Sequence, residues 1–165
     1  MTVGVKNPPL NIILKLPGNL PSKKNCYEII VIGRHGALKK NDRAKEYEEV
    51  MSYGIPAVYK GKAVRISKRG KPVLEPCIKK WFRMDTIIHY KSNHADFNKE
   101  LVLDILQECG VIGNDRYYLG GIEIKRFDKK DPRIELIITD LGEDYDDGHL
   151  AALLAVLRQN QDANR

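Results

Sequence analysis

Trp81-Phe82-Arg83-Met84-Asp85-Thr86-Ile87-Ile88-His89-Tyr90, a polar break from Lys91 to Asp96, and then Asn98-Lys99-Glu100-Leu101-Val102-Leu103-Asp104-Ile105-Leu106-Gln107-Glu108-Cys109-Gly110 decide the fold. The first stretch turns to alternating, β-prone residues at Thr86 to Tyr90, the pattern of a strand. The second places Leu101, Val102, Ile105 and Leu106 on one stripe, which predicts a helix over 98–109 with a buried face. Gly110 follows as a left-handed stop. Gly120 to Arg126 and Arg133 to Thr139 read as two further strands joined by the turn Asp128-Lys129-Lys130-Asp131-Pro132.

Upstream, Asn11 to Leu16 reads as a first strand, stopped by Pro17-Gly18, and Tyr27 to Ile32 as a second, closed by Gly33. Asp42 to Met51 predicts a surface helix. Gly54 to Pro76, punctuated by glycines and prolines, reads as an exposed basic hairpin or excursion over about 54–80. At the far end an acidic linker leads into an amphipathic helix with the stripe Leu150, Leu153, Leu154 and Leu157. The order β-β-α-β-α-β-β-α predicts one α+β domain over 1–140, a mixed sheet with helices on one face, and a C-terminal appendage over 141–165.

The 165 residues are enough for one core, and 42% hydrophobic with 30% charged residues is a globular composition. No apolar run reaches membrane-spanning length, and the first residues lack a signal-peptide layout, so a cytoplasmic protein is expected. Cys26, Cys77 and Cys109 form no CxxC pair, which argues against a zinc ribbon or a disulfide framework. The formal net charge is +6, unevenly spread. Residues 54–91 hold ten basic side chains against Glu75 and Asp85, an asymmetry that suggests a polyanionic partner.

No G-x-x-x-x-G-K-[ST] loop, H-E-x-x-H or G-x-S-x-G motif is present, and His35, His89, His94 and His149 are dispersed. What remains is carboxylates at element ends among basic residues. Asp96 precedes the helix, and Asn114-Asp115 follows it some 19 positions later. Loops flanking one strand–helix–strand unit can converge, and two carboxylates suit a hard cation that carries its own waters. Spacing alone leaves open the commoner roles, a helix cap at Asp96 and turn residues at Asn114-Asp115.

In these segments the chain resembles the RusA family of Holliday-junction resolvases. That family has an Asp-x-Asp-Asn motif opening a helix, an Asp within the helix, a Gly-x-x-x-Asp-Asp element and a final Arg-hydrophobic-Glu-hydrophobic strand. With Asp96 on the motif's second Asp, Asp104, Gly110 and Asn114-Asp115 fall into register without a gap, and Arg133-Ile134-Glu135-Leu136 resembles the final strand. Leu20-Pro21-Ser22-Lys23-Lys24-Asn25 is similar to the family's Pro-Ser-x-Asn loop, and Glu46-Tyr47 to its Tyr-bearing helix. Coverage is roughly residues 10–53 and 80–140.

The resemblance implies a Mg²⁺-dependent endodeoxyribonuclease, with Mn²⁺ as the other candidate ion, that cleaves branched or duplex DNA as a homodimer in recombination and repair. It implies Asp96 and Asp115 as metal ligands with His94 adjacent, and Asp104 and Asn114 behind them. The family's catalytic Lys position falls on Glu100, and Lys99 or Lys91, close in sequence, would replace that cation. Asp104 could equally pair with a structural Lys or Arg. Lys23, Lys24, Lys91, Lys99, Arg116, Lys68 and Arg69 are the candidate DNA contacts. His94, Phe97 and Glu100 stand where the family has Asp, Asn and Lys. Those departures make a nucleic-acid-binding relative without nuclease activity the alternative expectation.

Overall fold

The computed structural model describes residues 10–92 and 97–142. His94, Asp96, the acidic linker beyond Gly142 and the leucine-striped helix lie outside the described residues. Four strands make the main sheet: β1 (Asn11–Pro17), β6 (Trp81–Tyr90), β7 (Glu123–Phe127) and β8 (Arg133–Gly142). Their order is β1-β8-β6-β7. β8 runs antiparallel to both β1 and β6, and β7 is parallel to β6. The sheet is mixed, as the sequence predicts.

Strand alternation builds one core face. Ile12, Leu14 and Leu16 of β1 lie in register with Ile138, Leu136 and Ile134 of β8, and these with Met84, Thr86 and Ile88 of β6. All nine are buried. Two helices pack into this core. α1 (Asp42–Gly54) buries Ala44, Tyr47 and Met51, and α2 (Lys99–Glu108) buries Leu101, Val102, Leu103, Ile105 and Leu106. The opposite sheet face carries Ile13, Arg83, Asp85, Ile137 and Thr139 and has no helix over it among the described residues.

α2 is the crossover between parallel β6 and β7. Asn98 caps it, its Oδ1 accepting the Leu101 N–H at 3.3 Å, and Gly110 ends it at φ +70°. Isolated bridges at Ile78–Ile112 and Phe82–Tyr118 extend the parallel register back toward the start of β6. Gly121 lies so close to β6 that an added Cβ would sit 1.9 Å from the Met84 carbonyl oxygen.

Two hairpins depart from the sequence expectation. Tyr27–Ile32 is a strand (β2), but it pairs with an unforeseen β3 (His35–Lys40) and joins no larger sheet among the described residues. Ile29, Val31 and Leu38 are 77%, 77% and 73% exposed. A two-residue turn, Gly33-Arg34 with Gly33 at φ +63°, closes this ribbon. Glycine at the first turn position is a hairpin signal, but His35-Gly36-Ala37-Leu38-Lys39-Lys40 lacks the β-branched residues that would have completed it. The basic excursion is a second hairpin, β4 (Lys62–Ile66) with β5 (Pro72–Glu75). Backbone bonds anchor its base: Gly61 N–H to the Cys109 carbonyl at 2.9 Å, and Cys77 N–H to the Gly110 carbonyl at 3.0 Å. No described helix is long and apolar enough to cross a membrane.

Candidate functional site

The N-terminal end of α2 gathers segments far apart in the chain. The loop after β1 reaches the end of β6, where Asn19 Oδ1 accepts the Lys91 N–H at 3.0 Å. Farther along that loop, Cys26 is fully buried. Its thiol donates to the Ser22 carbonyl at 3.2 Å and receives the Asn98 Nδ2–H at 3.0 Å. Desolvation pushes the Cys26 thiol pKa up, opposed in part by the Asn98 bond. Asn98 is only 1% exposed, so both ends of its amide are engaged where water cannot replace them. Above this buried link, Lys23 pairs with Glu100 at 2.8 Å in solvent. Lys24 is exposed and enters no ion pair among the described residues.

Lys99 leans the other way along the helix. Its ammonium is 3.2 Å from Glu123 Oε1 and 5.2 Å from the Tyr118 ring centre. Burial raises the Tyr118 pKa, with Lys99 pulling against it. Glu123 was not singled out in the sequence, because its contact with Lys99 exists only once β7 lies parallel beside β6.

Asp104 pairs with Lys40 at 3.1 Å, and the same ammonium bonds Glu48 of α1. Burial opposes the charge on Lys40, but the two carboxylates outweigh it and hold its pKa above the ordinary lysine value. Of the two roles the sequence left open for Asp104, the observed contact is the structural cation.

Asp115 stands at the opposite end of α2. Its backbone N–H donates to Gln107 Oε1 at 3.1 Å, in the helix's last turn. Asn114 Oδ1 accepts the Arg116 N–H at 3.0 Å, the turn chemistry open to it from sequence. The Asp115 carboxylate is exposed and enters no ion pair among the described residues, so it is available to a cation. Arg116 lies over Tyr117, 4.8 Å from the ring centre, and donates to the Tyr117 hydroxyl at 2.8 Å. The ten-residue helix spans about 15 Å, which separates the Asn98 end from the Gln107 end. Lys68 and Arg69 sit at the tip of the β4–β5 hairpin.

The structure thus brings Lys23, Lys91, Asn98, Lys99 and Glu100 to one end of α2, and Asn114, Asp115 and Arg116 to the other. Among the described residues no three His, Cys, Asp or Glu side chains cluster as a metal site. Asp115 by itself is the kind of hard oxygen donor that Mg²⁺ takes alongside retained waters. Neither family models nor curated proteins match this chain.

Proposed function

We propose that the chain is a metal-dependent endonuclease acting on branched DNA in the cytoplasm, of the kind that its resemblance to RusA-like resolvases implies. What supports the reading is the docking of the 19–26 loop on Lys91 and on the cap of α2. Two segments of the resemblance, some 70 positions apart in sequence, are held together by the buried Asn98–Cys26 bond. A second support is that Asn98, rather than Asp96, caps α2. Helix capping therefore does not account for Asp96.

Asp115 would hold the ion at its end of α2, and residues 93–96, outside the described residues, would have to bring Asp96 and His94 back along the helix to the same ion. Bound Mg²⁺ polarises a phosphoryl oxygen and lowers the pKa of an attacking water. The chain's own part is positioning. The exposed Asp115 carboxylate is offered on a turn fixed by Asn114 and Gln107. Arg116 and Lys91 present cations to a phosphodiester. Lys99 reaches a phosphate by exchanging Glu123 for it, at little cost because the pair is solvent-accessible. Asp104, held by Lys40, fixes the middle of α2 against α1.

A homodimer would offer two such sites to the two symmetry-related strands of a four-way junction. The exposed apolar ribbon of Ile29, Val31 and Leu38 provides surface for a twofold contact.

The test is cleavage of a synthetic four-way junction with Mg²⁺ or Mn²⁺. Wild-type protein should nick paired strands symmetrically, and Asp96→Asn and Asp115→Asn should each cut the rate by about 100-fold or more. A wild type inert with both ions, or an Asp115→Asn protein as fast as wild type, overturns the proposal. A non-catalytic nucleic-acid-binding protein is the second reading. It is favoured by Glu100, which stands in the family's Lys position and neutralises Lys23. Tight junction binding without cleavage would establish it.

A further inference from the structure

We infer that the β4–β5 hairpin is a grip for duplex nucleic acid, with its cations sorted onto one face by a β-bulge at Val64. This deepens the reading above. It rests on the nucleic-acid part of that reading but not on cleavage.

Between Lys60 and Lys71 the chain has six basic residues and no acidic one. Lys62, Arg65, Lys68, Arg69 and Lys71 are all exposed, and none enters an ion pair among the described residues. Such a concentration of unneutralised charge on a small ribbon repels itself, and a polyanion removes that cost.

The register decides where the charges point. Lys62 lies opposite Glu75, Ala63 opposite Leu74, Arg65 opposite Val73 and Ile66 opposite Pro72, with a shift between Ala63 and Arg65. Directly paired residues share a face, and neighbours along β5 alternate. Lys62 and Arg65 therefore share the face of Val73 and Glu75, while Ala63, Ile66, Pro72 and Leu74 share the other. Regular alternation would have put Lys62 with Val64 and Ile66, and Arg65 on the opposite side. The extra residue, Val64, brings the two cations together.

The apolar face has its own place. Leu74 Cβ lies 3.1 Å from where a Cβ on Gly110 would be, so this face leans on the end of α2. The cationic face turns away from it. At the tip, the Ser67 N–H bonds the Lys71 carbonyl at 2.7 Å, and Ser67 Oγ accepts the Lys71 N–H at 3.1 Å. Gly70 takes φ +76°, and this closed turn holds out Lys68 and Arg69.

The chemistry selects the occupant. Residues 60–76 contain no aromatic side chain, so the ribbon has no platform for stacking unpaired bases. A two-stranded ribbon fits the major groove of a duplex, and its Lys and Arg then meet phosphates on the groove walls. Lys71, Pro72 and Leu74 also form one wall of a groove whose other wall includes Gln107 and Gly113. Gln107 is the side chain that bonds the Asp115 backbone, so the grip flanks the Asp115 turn.

The experiment is duplex binding by fluorescence anisotropy across a salt series in EDTA, so that its result does not depend on catalysis. Replacing Lys62, Arg65, Lys68 and Arg69 together with alanine should lower the log–log salt slope by about 3.6, at roughly 0.9 per lost phosphate contact. The thermal midpoint should hold, because all four side chains are exposed. Deleting Val64 removes the extra residue and leaves Arg65 opposite Val73 on the Lys62 face, so this variant keeps both the charges and their sorting and should keep the wild-type slope. An unchanged slope in the fourfold variant overturns the inference. So does wild-type protein that binds phosphatidylserine vesicles but not duplex DNA. A normal loss of slope in a protein that never cleaves junctions keeps the grip and removes only the nuclease reading.

Discussion

Replacing Asn98 with alanine removes two hydrogen bonds at the point where three segments meet. Loss of the cap to the Leu101 N–H costs about 1 kcal/mol, since that donor has no other partner at a buried helix start. Loss of the bond to Cys26 Sγ adds about 0.5 kcal/mol, because sulfur is a weak acceptor and the thiol keeps its own bond to Ser22. The expected total is about 1.5 kcal/mol, or a fall in melting temperature of about 3–6 °C for a chain of this size. Urea unfolding should show a lowered midpoint with an unchanged slope. Amide exchange at Leu101 should accelerate. Asn98→Ser restores an acceptor for the cap and should recover about 1 kcal/mol. A cost below about 0.5 kcal/mol for alanine, or serine as damaging as alanine, would refute this account of how the loop is fastened to the helix.

Gly121→Ala should be among the most damaging substitutions in the chain, at the upper end of the ~1–3 kcal/mol seen for overpacking or beyond it. The obstacle is the Met84 backbone, which cannot swing aside, and thermal unfolding reads the cost directly. Arg133→Gln should change the pH dependence of stability. The hydrogen bond from Arg133 holds the Glu135 carboxyl below its ordinary value of 4.5, so its stabilisation is complete above that value and is lost as the pH falls through the depressed one. Wild type should therefore lead the variant at neutral pH and converge with it in acid. A gap in denaturant midpoint that stays constant from neutral to acid would contradict the assignment.

How much the sequence disclosed depended on the range of the physics involved. β1, β6, α2 and β8 were legible because each carries its own period. α2 matches the expected bounds within a residue, whereas β6 starts at Trp81, five residues before the alternation at Thr86 that announced it. The helix stop at Gly110 was legible for a similar reason, as a local backbone need. β3 was not, since only its turn glycine signalled it, and most of its residues are exposed on the ribbon. The exposure of β2 was also hidden, because Ile29-Ile30-Val31-Ile32 reads as a core strand and only topology leaves it outside. In the site, Lys23, Lys91, Lys99 and Asp115 could be named from charge and motif spacing. Their partners Glu100, Glu123 and Gln107 are contacts that the fold creates between segments, and no spacing rule yields them. The cap of α2 fell to Asn98 rather than to the acidic residue two positions earlier.

The pairing of β1 with β8 has a consequence at the ribosome. Leu14 finds its partner Leu136 across 122 positions of chain. At about 5–20 residues per second, the first strand emerges roughly 6–24 s before the strand that will cover it exists. Throughout that wait only part of its Ile12, Leu14 and Leu16 face can be covered, by α1, and its edge is free to pair with any extended segment nearby. The newborn chain is therefore most open to chaperone capture and to misjoining with a neighbouring nascent copy during synthesis, before the central strand closes the sheet.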